Sequence, residues 1–350
     1  MADVTSSTVD GAGTRDQARG RLTLPGSSGY VLRRLFGAVL SLLAVAFIGF
    51  FLFRVIPGDP VRTMTEDQAV STQQLIALRH EFGLDKPLWQ QFVDYVVQLL
   101  HLDLGTSFQY RGAESVSGLI LEKLGPTVLL VGTATVLSAA LGLWLGIRSA
   151  WRNGSTSDRV NTGVALTLWS VPTFWLGLMM IIVLAAGVGP LPDMFPAGGM
   201  RDPYVTGWAL VPNIAHHLVL PVVTLVAVVY AQYLLVMRSS LLDEIGSDYL
   251  VTARAKGLRD VVVRRRHALP NALLPAVTMI AIDLGQVVAG TILVETVFSW
   301  PGLGHMFYEA LKVPDLPLVQ GMFIFFSAAV ILLNLLTDLT YPLLDPRVAR

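Results

Sequence analysis

Six stretches of this chain are long and apolar enough to cross a bilayer, and they constrain its fold more than any other feature. A helix needs about 20 predominantly apolar residues to span the hydrocarbon. Residues 35–53 and 127–147 carry no charge. Residues 160–188 form a longer run that contains Pro172, which predicts a kinked or tilted span. Residues 218–237 are uncharged, with Pro221 in the first turn, where a missing N–H costs little. Residues 272–294 hold one acid, Asp283, and residues 316–337 end just before Asp338. The expectation is an all-α integral membrane protein of six transmembrane helices with both termini on one side.

Composition narrows the function classes. The chain is 53% apolar and 14% charged, with a mean hydropathy of +0.60. Its formal net charge is zero, so no global field attracts nucleic acid. It has no cysteine, which removes disulfides, thiolate nucleophiles and Cys-based metal sites. His216 and His217 are adjacent, and neighbours on a helix diverge by about 100° and chelate poorly, so no metal site is expected. Residues 1–29 are rich in Gly, Ser, Thr and Ala without an apolar period, which reads as a disordered tail rather than a signal peptide. Residues 30–350 form the membrane domain.

Basic residues set the orientation. With the N-terminus inside, the segments on the cytoplasmic side hold 17 of the 25 Lys and Arg residues, and the positive-inside rule favours that topology. Seven of those lie between spans four and five, in residues 238–271. The stretch TARAKGLRDVVVRRRHALPN from Thr252 carries most of them. It is patterned as well as charged. Leu242, Ile245, Tyr249, Thr252 and Ala253 recur at helical spacing, with acids before them and Arg254 and Lys256 after, an order that suits a helix dipole. Asp248 is placed to cap a short helix over residues 249–256, and Gly257 to stop it. Pro270 and Pro275 mark the start of the fifth span.

That loop resembles the cytoplasmic loop of permease subunits of ATP-binding-cassette (ABC) importers, whose pattern is Glu-Ala-Ala, three residues, Gly, nine residues, Ile, one residue, Leu-Pro. From Gly257, nine residues lead to His267, then Ala268, Leu269 and Pro270. The departures are Val251-Thr252-Ala253 in place of Glu-Ala-Ala and His267 in place of Ile. The form DYLVTARAKGL is similar to the dipeptide and oligopeptide branch. So are YVLRRLFGAVL with FRVIPGDPV, the stretch FGLDKPLWQQFVDYVVQLLHLDLGTSF, HHLVLPVVTL, VETVFSWPGLGHMFYEAL and the terminal LDPRV. The resemblance covers about residue 30 to the C-terminus.

The resemblance implies a B-type permease of a type I importer fold in the cell membrane, multi-pass. It pairs with a second homologous permease, two cytoplasmic ATPase subunits and an extracytoplasmic peptide-binding protein. Asp248, Tyr249, Thr252, Ala253, Arg254, Ala255, Lys256, Gly257, Leu258, His267, Leu269 and Pro270 would couple the chain to an ATPase, with small Ala253, Ala255 and Gly257 allowing close approach. Arg264, Arg265 and Arg266 are expected to meet lipid phosphates or backbone carbonyls. The chain cannot power itself: a phosphate-cradling loop needs Gly-Lys, and none of Lys86, Lys123, Lys256 and Lys312 follows a glycine. It is therefore expected to be no enzyme and to hold no cofactor; ATP and Mg belong to the ATPase subunits.

Residues 54–123 are an extracytoplasmic insertion. Ser71 or Thr72 would cap one helix and Asp85-Lys86-Pro87 start another, whose stripe Leu88, Phe92, Val96 and Leu99 either packs locally or forms a platform for the binding protein. Asp283 stands well inside span five and must face protein or water. With Gln286 one turn on, it reads as a pathway residue or as a hydrogen-bonded packing residue. Trp300, Pro301 and Gly302 form a tight turn before a short helix, which either shapes an outer gate or is purely structural. Within the peptide reading, nickel complexes or glutathione remain alternative cargoes. A proton-coupled secondary transporter would need more intramembrane acids or His and repeated halves. An intramembrane hydrolase would need a second membrane acid beside Asp283.

Overall fold

The computed structural model describes residues 28–55, 73, 85–107, 114–187, 193–286, 292–312 and 315–344. The tail through residue 27, the proposed helix at 72–82 and the terminal LDPRV lie outside these, except for residues 73 and 344. Among the described residues the chain is helical, apart from one isolated bridge between Thr106 and Ser115. Helix α1 is Ser28–Phe50, which loosens into a π-helical turn at Phe51–Val55. Helix α2 is Leu88–Leu100, α3 is Val116–Trp151, and α4 is Thr156–Trp169. Helix α5 is Thr173–Met180, with a π turn at Ile181–Ala185. Helix α6 is Leu210–Ile245 and α7 is Asp248–Ala255. After short turns come α8 (Leu274–Gln286), α9 (Ile292–Val297), α10 (Leu303–Lys312) and α11 (Leu316–Leu344).

Four described helical stretches are long and apolar enough to cross a membrane: Gly29–Phe53, Val116–Trp151, Gly207–Ile245 and Leu316–Leu339. The third sequence span is a sharper feature than the expected kink. Pro172 caps α5, and the pair α4 and α5 is bent by 97° at the break. A proline cannot continue the α4 hydrogen-bond ladder, and its predecessor Val171 is driven away from helical backbone angles. The pair counts as one further candidate if it crosses as a unit. The fifth sequence span is represented by α8, 13 residues long, and by α9 beyond the undescribed residues 287–291.

Helix α6 begins eight residues before the apolar run, so Pro221 lies in its interior and not in its first turn. Polar residues beyond the lipid-length window continue the same helix, which an apolar count does not see. Helix α3 contains Pro126 in the same way. Its carbonyl accepts the indole N–H of Trp300 at 2.9 Å.

The two 36-residue helices α3 and α6 pack at very short range. A Cβ on Gly142 would sit 2.5 Å from the Tyr230 carbonyl oxygen and 2.5 Å from Tyr233 Cβ, and one on Gly146 would sit 2.7 Å from the Leu234 oxygen. Between membrane helices there is little hydrophobic drive, so association relies on such close backbone approach. Side chains buried along this seam include Leu130, Ala134, Leu220, Leu225, Tyr233, Leu234 and Met237. Replacing Gly142 with Ala is expected to force the helices apart and to cost about 1–3 kcal/mol, as overpacking does. Replacing the half-buried Gly132 with Ala, where an added Cβ meets nothing within 4 Å, should cost little. Thermal unfolding of the detergent-solubilised variants checks the difference; equal midpoints would contradict the seam.

Candidate functional site

The basic loop is a folded unit, not a slack connection. Helix α6 ends at Ile245, and Ser247 begins α7 in an extended conformation. The Ser247 hydroxyl donates back to the Glu244 carbonyl at 2.6 Å instead of capping α7. Asp248 is the first helical residue and not the cap, and Lys256 follows the last residue, Ala255, so the helix runs one residue earlier than the sequence suggests. Asp248 still sits at the positive end of the helix dipole and Arg254 at the negative end.

Gly257 ends α7 with φ +78°. Its N–H bonds the Arg254 carbonyl at 2.9 Å, and the Leu258 N–H reaches the Ala253 carbonyl at 3.4 Å. Those two bonds are the 5→2 and 6→1 pair of a Schellman C-cap. A Cβ on Gly257 would meet nothing within 4 Å. Backbone conformation, not crowding within the chain, is therefore what requires glycine there.

The unit rests on the ends of α3 and α6. Leu250 and Ala253 of α7 are buried with Ala150, Met237, Leu241, Val263, Ala268, Ala272 and Ala276. Ala253, expected to help meet a partner, thus faces the chain's own core. Ala255, Lys256 and Gly257 remain exposed, as do Asp248, Thr252, Arg254 and Leu258. Val251, 57% exposed, falls with Ala255 on the outward side of α7, and Leu258 is exposed in the turn after Gly257. These outward apolar residues were not singled out from the sequence, because the inner and outer faces of so short a helix are decided by what it packs on.

Polar contacts fix the unit. Trp151 at the end of α3 donates its indole N–H to Asp260 at 3.0 Å, and Arg254 lies 3.9 Å from the same carboxylate. Arg264 stacks over the Trp151 ring at 5.6 Å from its centroid, a cation–π contact where lipid or carbonyl contacts were expected. The Tyr249 hydroxyl lies against the Glu244 carboxylate and 3.2 Å from the His267 carbonyl, and it accepts from Asn271 Nδ2 at 3.0 Å. Partial burial, and then the neighbouring Glu244 carboxylate, raise the Tyr249 phenol above its ordinary value, so it stays protonated as a donor. His267 and Leu269 are half-buried and Pro270 is exposed at the start of the turn Leu269–Ala272. Trp151, Asp260, Glu244 and Asn271 were missed by sequence reasoning because they act across gaps that no local motif spans.

The remaining expected residues lie elsewhere. Asp283, half-buried on α8, accepts from Tyr233 Oη at 2.5 Å and from Gln232 Nε2 at 2.8 Å. These bonds tie α8 to α6. The Gln286 side chain lies outside the described residues. Trp300 is fully buried. Gly302 follows Pro301 in a tight turn in which the Gly302 N–H bonds the Trp300 carbonyl at 2.7 Å. Beneath the turn sits buried Glu295, which accepts from Thr127 at 2.8 Å, Gly304 N–H at 2.7 Å and His305 N–H at 3.1 Å. This carboxylate, passed over in the sequence, satisfies the first amides of α10. His216 and His217 go separate ways, to the Met194 carbonyl at 3.0 Å and to Asp202 at 3.6 Å.

Residues 142–350 match the family described as binding-protein-dependent transport system inner membrane component, and residues 28–130 match the model of the N-terminal part of such membrane components. The dipeptide transport system permease protein DppB of Escherichia coli K12 is 35% identical over 338 residues, covering 91% of this chain and 98% of that one. The glutathione transport system permease protein GsiC of Salmonella choleraesuis is 35% identical over 320 residues, with the same shares covered. A solved inward-facing MetNI methionine ABC transporter aligns over 66% of this chain and 96% of its own at 18% identity and TM-score 0.44, too remote to carry an argument.

Tyr249→Phe is expected to loosen the basic loop by about 1 kcal/mol, the net worth of a hydrogen bond. Limited trypsin digestion of the purified protein at Arg254, Lys256 and Arg259 should then run about fivefold faster, with helix content unchanged. An unaltered digestion rate would show that the tyrosine contacts do not hold the loop.

Proposed function

Because the chain belongs to the binding-protein-dependent transport system inner membrane component family, and is thus a permease subunit of an ABC importer in the inner membrane, we propose that it carries di- and oligopeptides. In this reading it forms the pathway with a second homologous permease and receives cargo from an extracytoplasmic binding protein. Six crossings with the N-terminus inside place the basic loop in the cytoplasm, where α7 docks on a separate ATPase subunit. ATP and Mg are held there and not on this chain.

The observation that supports the docking role is the outward face of α7. A partner meets Val251 and Ala255 on the helix and Lys256 and Leu258 in the exposed turn after it, while the other side of the helix is locked onto α3 and α6. Apolar contact supplies area, and the cation sets register against acids on the partner. When paired ATPase subunits close, a docked α7 moves with them. Because its buried side is continuous with α6, the motion reaches the spans and biases a two-state pathway. Asp283 and the Trp300–Gly302 turn are assigned to holding the pathway walls together.

The peptide assignment rests on the dipeptide relative, and the similar likeness to a glutathione permease makes glutathione, itself a small peptide, the second cargo to try. Uptake of labelled dipeptides in a deletion strain should depend on this chain; dependence of glutathione uptake alone would replace the cargo.

Docking is tested on the cysteine-free background. Val251→Cys and Leu258→Cys in the assembled transporter should cross-link to the ATPase subunit, whereas Leu250→Cys should not. Gly257→Trp is expected to abolish uptake while membrane insertion persists, and Gly257→Asn, which tolerates the left-handed backbone, should retain most of it. Normal uptake by the Trp variant would refute the docking role. The purified chain alone should show no ATP turnover.

A further inference from the structure

Helices α1 and α11 pack against each other along one part of their length and leave a groove between them along another. Ala46 and Phe50 are buried with Ile324 beside them. At the opposite end the pair is bridged by Tyr30, whose hydroxyl donates to the Asp338 carbonyl at 3.0 Å, and by the ion pair of Arg34 with Asp338. The Arg34 guanidinium also lies over the Tyr30 ring, 5.4 Å from its centroid. Between the bridge and the closed part lies a cavity of about 600 Å³, the volume of about twenty water molecules.

The walls of this cavity are graded. Gly37, Ala38 and Ser41 keep the α1 side low, facing Ile331, Asn334 and Leu335 of α11, while Arg33 and Arg34 stand at its end. Asp338 cancels Arg34. Arg33 is exposed and forms no ion pair among the described residues, so the mouth carries one uncompensated positive charge. Both helices are membrane-spanning candidates, and the low wall falls inside the apolar run. The groove is open on one side and its lining is mixed, with apolar Ala38, Ile331 and Leu335 beside polar Ser41 and Asn334. An occupant with a long apolar part and an anionic end matches both the groove and its basic mouth.

We propose that this cavity binds one anionic phospholipid of the inner leaflet, its phosphodiester on Arg33 at the mouth and an acyl chain along the Gly37–Ala38–Ser41 groove. The site rests on the N-terminus-inside topology of the preceding subsection, which places Arg33 at the inner headgroup level, where anionic lipid and basic side chains meet. The length of the groove past Ala38, Ile331 and Leu335 selects a lipid over free phosphate. The Arg34–Asp338 pair closes one side of the mouth, so the bound lipid would wedge α1 against α11 at their inner ends.

The test uses the assembled transporter in nanodiscs of phosphatidylethanolamine with a minor share of phosphatidylglycerol, extracted gently, with retained lipid measured by native mass spectrometry. The parent should retain phosphatidylglycerol above its share in the disc. Arg33→Gln should lower that retention about fivefold, and Arg33→Lys should keep it. Ala38→Phe, which fills the groove, should remove both lipids. Should Ala38→Phe fail to assemble, the Arg33 pair decides alone. Deleting residues 1–27 should change nothing; a several-fold rise in retained lipid would mean that the tail is the occupant and would overturn the proposal. Retention in Arg33→Gln equal to the parent, or displacement of the lipid by excess glycerophosphate, would overturn it too. Gly29→Cys, labelled with an impermeant maleimide, reads the topology separately: labelling from outside would sink the orientation, while the retention ratios still report whether lipid binds.

Discussion

The close approach of α3 and α6 governs the rest of the structure. Membrane helices gain little from burying apolar surface against each other, since lipid is equally apolar, and must rely on backbone proximity and packing. Gly142 and Gly146 stand one turn apart and bring α3 onto the stretch from Tyr230 to Met237 with no space for a Cβ. Each helix has 36 residues, about 54 Å at the usual rise, which is well beyond the ~30 Å hydrocarbon thickness. The basic loop is seated on this pair, with Ala150 and Trp151 of α3 on one side and Met237 and Leu241 of α6 on the other. A loop mounted this way cannot shift without shifting the seam, the property a coupling element requires.

Carboxylates fasten the other elements to this pair. Asp158, almost fully buried, takes Arg238 in two parallel bonds of 2.7 and 2.8 Å and the Gly154 N–H at 2.9 Å, pinning the start of α4 to α6. Asp283 joins α8 to α6 through Tyr233 and Gln232. Glu295 joins α9 to α3 through Thr127 and to α10 through its first amides. Each acid accepts hydrogen bonds from another element, the condition under which a buried polar group is tolerated. Only the first relies on a cation. The other two use hydroxyl, amide and backbone donors, whose short-range geometry fails quickly if the helices separate.

Much of this was legible in the sequence, in a graded way. Uncharged runs located the long helices because the hydrocarbon imposes their length, yet they gave the wrong ends: helix continues through polar residues on either side, which is how Pro221 came to lie inside α6. Pro172 signalled a disturbance but not a 97° turn, since proline reports a broken ladder and not the direction the chain takes afterwards. Gly257 was readable as a stop because a left-handed residue leaves a mark in residue type. The inward face of α7, with Leu250 and Ala253, was not, because eight residues of helix leave the burying side to partners 100 residues away. The Asp260–Trp151 and Glu295–Thr127 contacts were invisible for the same reason.

The density of positive charge in the basic loop now divides into two kinds. Arg254 is spent on Asp260, Arg264 on Trp151, and Arg238 at the loop's root on Asp158; these hold the fold together. Lys256, Arg259, Arg265 and Arg266 are exposed, without an ion pair among the described residues. Topology alone would be served by all seven equally, since positive-inside signals count charges and ignore their partners. Lys256, Val251 and Leu258 are all exposed, and a cation presented with apolar side chains is the mixture that the proposed docking role calls for.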